Sequence, residues 1–182
     1  MSKILEKYLA IAKNKQACQE AIKMLECCNI LKKAIVLMQK YPTWTIWLLN
    51  NSLITPALCY RYKLAGKAVE GQNIDTGIWI VESGIMVNQS DGYCVNYSGI
   101  VNQSGGYCEN YGGVVNQSDG DCRNYGGGAV NKSGGFCWNH EGSVVNQSGG
   151  NCDNHEGGII NQSGGYCWSH KNGVVNKITE TK

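Results

Sequence analysis

Six cysteines, Cys94, Cys108, Cys122, Cys137, Cys152 and Cys167, and three histidines, His140, His155 and His170, have the types and spacing to do chemistry. Each histidine follows a cysteine by three residues, giving Cys-x-x-His at 137/140, 152/155 and 167/170, a spacing that zinc sites use. A cysteine held beside a basic partner is also the start of a nucleophilic site, which requires a pocket unlike its surroundings. Neither chemistry is expected. The cysteines recur every 14 or 15 residues, so each copy meets the same neighbours and none is singled out. If the cysteine faces inward, strand alternation and an intervening corner put the imidazole outside, in a packed or solvent-facing ladder. The acidic residues Asp91, Glu109, Asp119, Asp121, Glu141, Asp153 and Glu156 are dispersed over outward positions and corners, with no pairing suited to general acid and base work. No phosphate-cradling P-loop is present. The expected reading is therefore a non-enzyme with no cofactor and no metal ligands.

The elements that must position these residues are set by the repeat. Asn88, Asn102, Asn116, Asn131, Asn146, Asn161 and Asn176 keep the same step, and each turn approximates V-V-N-Q-S-G-G-Y-C-x-N-Y/H-x-G-G. A short fixed period of this kind specifies a solenoid. The second position, Val87 through Val175, is always β-branched and is expected to point inward. Cys94 and its copies are likewise inward, flanked by the outward pairs Tyr93/Val95, Tyr107/Glu109, Asp121/Arg123, Phe136/Trp138, Asn151/Asp153 and Tyr166/Trp168. The glutamine position accepts Lys132 and Lys177, which reads as an outward or corner site. Gly92, Gly106, Gly120, Gly135, Gly150 and Gly165 set the corners. Asn88 and Asn96 head two files of asparagines suited to amide ladders between coils ~4.8 Å apart. The twelfth position changes from Tyr97, Tyr111 and Tyr125 to His140, His155 and His170, and Gly126-Gly127-Gly128 marks the change of step from 14 to 15. Subtracting 15 from Asn88, Gly92, Cys94 and Gly99 gives Asn73, Gly77, Trp79 and Gly84, a degenerate first coil whose tryptophan plugs the column. The polar residues 178–182 are expected to blunt the last strand.

Composition divides the chain. Residues 1–83 carry a net +5 and residues 84–182 a net −3, hidden in an overall +2; neither value compels direct contact with nucleic acid or mimicry of it. Glycine, 24 residues in all, gathers after residue 65. Before it, apolar residues fall at helical spacing: Ile4, Leu5, Tyr8, Leu9 and Ala12 after a Ser2 cap; Ala17, Ala21, Met24 and Leu25; Leu31, Ala34, Ile35 and Met38 up to Pro42. Further helices are expected from Thr43, carrying Trp44, Trp47 and Leu48, and from Pro56 towards Ala65. The fold class is α+β: a helical domain over 1–69, a right-handed parallel β-helix (β-solenoid) over 70–177, and a tail over 178–182. Handedness follows the usual chirality of parallel crossovers. The cysteines are read as reduced, with disulfides between coils as the competing reading, and the Asn-x-Ser triplets as structural rather than glycosylated. No signal-peptide pattern or membrane-length apolar stretch is visible, so a cytoplasmic setting without a membrane partner is expected.

Over residues 15–50, the pattern Ala17-Cys18-x-Glu20-Ala21, Lys33-Ala34 and Tyr41-Pro42-Thr43-Trp44-x-Ile46-Trp47-Leu48-Leu49 resembles a helical module of small phage and prophage proteins. It departs at Ala21 and Ile35, where that module often has glycine and tryptophan. The resemblance implies a viral or mobile-element setting and supplies no active site. In that setting, a small non-catalytic protein with two unlike surfaces is expected to act as a stoichiometric inhibitor of a host protein or ribonucleoprotein in the host cytoplasm. The class in mind is a guide-RNA defence nuclease of the Cas9 type, blocked in the manner of anti-CRISPR proteins. The alternative is a structural or adhesive virion component that binds glycans, and self-association through solenoid surfaces is compatible with either. The expected contact residues are Trp138, Trp168, Tyr107 and Tyr166 on the solenoid, and Tyr60, Arg61, Tyr62, Lys63 and Lys67 as a basic patch.

Overall fold

The computed structural model describes residues 31–50 and 54–178, together with Glu6, Leu9, Ala10, Lys13, Ile22, Lys23 and Glu26. The expected Ser2 cap, most of the first two helices and the Ala17 to Ala21 part of the phage-like pattern lie outside the described residues, as do residues 179–182 of the tail. The chain forms two compact units, Met1–Gly66 and Lys67–Lys182. Among the described residues no helix is long and apolar enough to cross a membrane.

Among the described residues, the first unit has helices with defined bounds at α1 (Leu31–Lys40), α2 (Pro42–Asn50) and α3 (Pro56–Arg61), and Glu6, Leu9, Ala10, Lys13, Ile22, Lys23 and Glu26 are helical as well. Ala34 and Met38 are buried one turn apart on α1, as the helical period requires. Non-helical Tyr41 separates α1 from α2, because the ring of Pro42 disfavours αR in the residue before it. Thr55 caps α3, its hydroxyl accepting from the Leu58 amide at 3.3 Å. α3 stops at Arg61 rather than running towards Ala65: Lys63 takes a left-handed φ of 54°, which a helix cannot continue through.

From Gly66 onward the chain is a parallel β-solenoid of about seven turns, each full turn contributing one strand to each of two eight-stranded parallel sheets. Register is that of the repeat. Cys94 pairs with Cys108, Asn88 with Asn102, and the degenerate coil pairs Asn73 with Asn88 and Trp79 with Cys94. The valine file from Val87 to Val145, Ile160, and the cysteines from Cys94 to Cys152 are fully buried and form one continuous core. Trp79 packs against its beginning, with Nε1 donating to Thr76 O at 2.8 Å, and Cys167 and Val175 lie against its end. All these cysteines are free thiols. Two glycines show why the corners repeat: Gly106 has φ +69° and a Cβ there would fall 2.7 Å from Asp91 backbone, while a Cβ on Gly105 would fall 2.1 Å from Ser90 O. The longer coils add one left-handed corner residue, Gly127, Gly142, Gly157 and finally Asn172 at φ 68°, asparagine being among the few non-glycines that tolerate it.

The glutamine file corrects the expectation of an outward site. Gln89, Gln103, Gln117, Gln147 and Lys132 are all buried. Each stands two residues after an inward valine, so the period of the strand turns it inward as well. Gln103 Nε2 donates to Gly106 O at 3.1 Å and to Asp121 O of the next coil at 2.8 Å; the other buried glutamines repeat this pairing. Lys132 replaces the amide with an ammonium donating to Gly135 O, Gly149 O and Asn151 O at 3.0, 3.4 and 2.8 Å. Burial lowers its pKa. Two supposedly free outward positions, Val95 and Glu109, are also buried, so alternation of side does not by itself give exposure.

Candidate functional site

The sheet whose strands carry the cysteines presents the outward pairs on its other face. Trp138 stands in register with Arg123 on one side and Asp153 on the other, and Asp153 with Trp168. The Arg123 guanidinium lies 5.4 Å from the Trp138 ring centre, a cation–π contact. Phe136 and Trp138 rings are 4.4 Å apart, Tyr166 and Trp168 4.4 Å, and Phe136 and Trp168 6.5 Å, so four aromatics from two coils form one cluster across the Asn151–Asn154 strand. Trp168 and Tyr166 are about half exposed, at 49% and 55%. Tyr107 is not part of this cluster. It stacks on Tyr93 at 5.1 Å, and the intervening coil places Asp121 between Tyr107 and Phe136.

Of the basic patch, Arg61 and Lys63 are exposed and Tyr60 and Tyr62 half-buried, all in the first unit, with the Arg61 guanidinium 5.7 Å from the Tyr62 ring centre. Lys67 belongs to the solenoid unit and pairs with Glu82 at 2.9 Å, an exposed pair of small energetic weight.

Beside the outward pairs runs a feature that the residue types announced only in part. Tyr97, Tyr111, Tyr125, His140, His155 and His170 form one uninterrupted ring stack, with successive centroids 5.7, 4.7, 4.7, 4.5 and 4.9 Å apart. The shared period and aromaticity were the available signal. What sequence reasoning missed is where the polar tips end up: Tyr111 Oη donates to Glu109 Oε2 at 2.8 Å, and His170 Nε2 meets Asp153 Oδ1 at 2.8 Å. Burial above all, then His155 and Arg123, lower the His140 pKa, against an opposing pull from Asp153. Cys137 and Cys152 stay in the core, away from the histidines that stack outside, and Cys167 lies partly buried against the end of the core.

The opposite sheet offers different chemistry. Its outward Asn116, Asn131, Asn146 and Asn161, with Ser118, Ser133, Ser148 and Ser163, line an open groove of amides and hydroxyls. The asparagines there are joined head to tail, for example Asn131 Nδ2 to Asn116 Oδ1 at 3.1 Å. No family model matches the chain, and no curated protein or solved structure matches it either.

Proposed function

We propose that the protein is a non-enzymatic interaction protein, its solenoid serving as a rigid platform that docks a macromolecular partner through Trp138, Tyr166 and Trp168. The observation that supports this reading is the half-exposed Tyr166/Trp168 pair continuous with Phe136 and Trp138 on one face. Aromatic rings bring large contact area at low entropic cost, and tryptophan, tyrosine and arginine dominate interface energetics. Such a surface acts by occupancy and has no need of turnover. In this reading the coils wind right-handed, the protein works in the host cytoplasm, and its partner is a guide-RNA-loaded defence nuclease that it inhibits stoichiometrically. The phage setting rests on the residue pattern of 15–50 alone.

Titration against a purified nuclease of that class tests the reading. Inhibition should saturate at a fixed molar ratio, and Trp168→Ala with Tyr166→Ala should weaken it at least tenfold, since losing one such anchor costs about 2 kcal/mol. Inhibition at substoichiometric amounts that deepens with time would show turnover and overturn the non-enzymatic reading. The same edge-on pair of exposed rings also suits stacking on sugars, the adhesive alternative; retention of the chain on a glycan surface, lost in Trp168→Ala, would favour that reading over the nuclease.

A further inference from the structure

Asp153 lies in a setting unlike that of any other outward acid described in the solenoid. Its carboxylate straddles two rungs of the imidazole ladder, Oδ1 at 2.8 Å from His170 Nε2 and Oδ2 at 3.7 Å from His155 Nε2. The three potential ligand atoms lie within 4.8 Å of one another. The second observation concerns the nitrogens. His155 Nε2 is sealed from solvent and makes no hydrogen bond, the carboxylate being too far at 3.7 Å; His140 Nε2, one coil back, is in the same condition. A sealed polar atom with no partner costs free energy. Here that cost recurs on the side of the ladder where a carboxylate is waiting.

We propose that Asp153, His155 and His170 form a binding site for a divalent first-row transition ion, Zn2+ being the type. Two imidazole nitrogens and one carboxylate oxygen are the donor set of such ions, whereas Ca2+ and Mg2+ are held by oxygen. Three protein ligands leave a fourth position open to solvent, and His170, the most exposed member, stands on the accessible side. Two imidazoles on one tetrahedral ion place their nitrogens about 3.4 Å apart. A tilt of one ring adjusts the Nε2 edges of the stacked His155 and His170 rings, whose centroids are 4.9 Å apart and whose planes are 17° from parallel, to that spacing. The exposed His170 ring is free to make that movement, exchanging its direct bond to Asp153 for a shared ion. The ion would give His155 Nε2 the partner it lacks. This site takes the histidines of the Cys-x-x-His pattern without its thiols, Cys152 being fully buried in the core and Cys167 packed against its end.

The full-length chain, held reduced by a non-thiol phosphine, is titrated with Co2+ and followed by absorption. Binding should give visible ligand-field bands without the near-ultraviolet sulfur-to-cobalt band, and Zn2+ should displace the cobalt and bleach them. His170→Ala and Asp153→Asn should each weaken binding at least about tenfold, the least that even loss of an outer-shell partner typically does. His140→Tyr should leave binding unchanged. Circular dichroism confirms that the variants keep the solenoid. Absence of visible bands, a sulfur band showing thiolate ligands, or undiminished affinity in both ligand variants would overturn the site.

Discussion

The two asparagine ladders have the same residue and the same step but opposite surroundings, so one substitution made in each should separate burial from hydrogen bonding. Asn110 is fully buried. Its Nδ2 donates to Gly113 O at 2.9 Å, Asn124 Oδ1 at 2.9 Å and Ala129 O at 3.3 Å, while its Oδ1 accepts from Asn96 Nδ2 at 2.9 Å and the Gly113 amide at 3.2 Å. In Asn110→Ala, Asn96 Nδ2 keeps Gly99 O and Val114 O, and Gly113 O keeps the Ala129 amide. Two buried groups lose the partners described for them: the Gly113 N–H and Asn124 Oδ1. At about 1–3 kcal/mol for each buried group left unsatisfied, the substitution should cost about 4 kcal/mol.

Asn116 is exposed, donating to Asn102 Oδ1 at 2.9 Å and accepting from Asn131 Nδ2 at 3.1 Å. Water replaces both partners, so Asn116→Ala should stay within about 0.5 kcal/mol of the parent. Urea unfolding followed by circular dichroism measures the difference, and native-state hydrogen exchange adds a local reading, since the Gly113 amide should lose protection in Asn110→Ala only. Coils interact with their neighbours, so the exchange reading also locates the damage to one corner. If the two variants unfold within 0.5 kcal/mol of each other, ladder hydrogen bonds are interchangeable with water even inside the coil, and the assignment of stability to the buried file is wrong.

Two further outcomes follow from the ionisable files. Because burial and its neighbours hold the His140 pKa below the ordinary value of about 6.5, the folded state prefers the neutral ring; its stability is complete above that pH and falls as pH drops through the folded pKa. His140→Tyr, which extends the tyrosine part of the stack, should flatten the acid side of a Tm-against-pH curve, and an unchanged slope would refute this source of acid sensitivity. Burial pushes the Cys94 thiol up to about 12, and Cys167, half-buried in the last coil, up to about 11. Alkylation of the native chain mapped by mass spectrometry should label Cys167 ahead of Cys94, Cys108, Cys122, Cys137 and Cys152; labelling of Cys108 or Cys122 as fast as Cys167 would show that the column opens.

What the repeat made legible is whatever stacking dictates alone. Val87, Cys94, Gly106 and Asn96 meet copies of themselves one coil away, so their side and role follow from period and alternation. The Asp153 contacts were not legible, because they join residues in different files and depend on where ring tips fall. The first unit was less legible for a related reason: its helices have no repeat, and the end of α3 turns on the single left-handed Lys63.

The glutamine file shows a different kind of failure, in which a correct observation received the wrong cause. Tolerance of Lys132 suggests exposure, yet Lys132 is buried. In the structure, the Oε1 atoms of Gln89, Gln103, Gln117 and Gln147 have no hydrogen-bond partner, and only Nε2 is used. The position therefore asks for a donor and makes no use of an acceptor, which an ammonium satisfies as well as an amide does. Lysine is admitted because it is donor-only, and its three carbonyl partners offset part of the cost of a buried charge. A signal for this was present one coil earlier: fifteen residues before Gln89 stands Ile74, paired with it in register and buried. A file that alternates among isoleucine, glutamine and lysine has inward geometry in common rather than polarity, and alternation from Val87 gives that geometry directly.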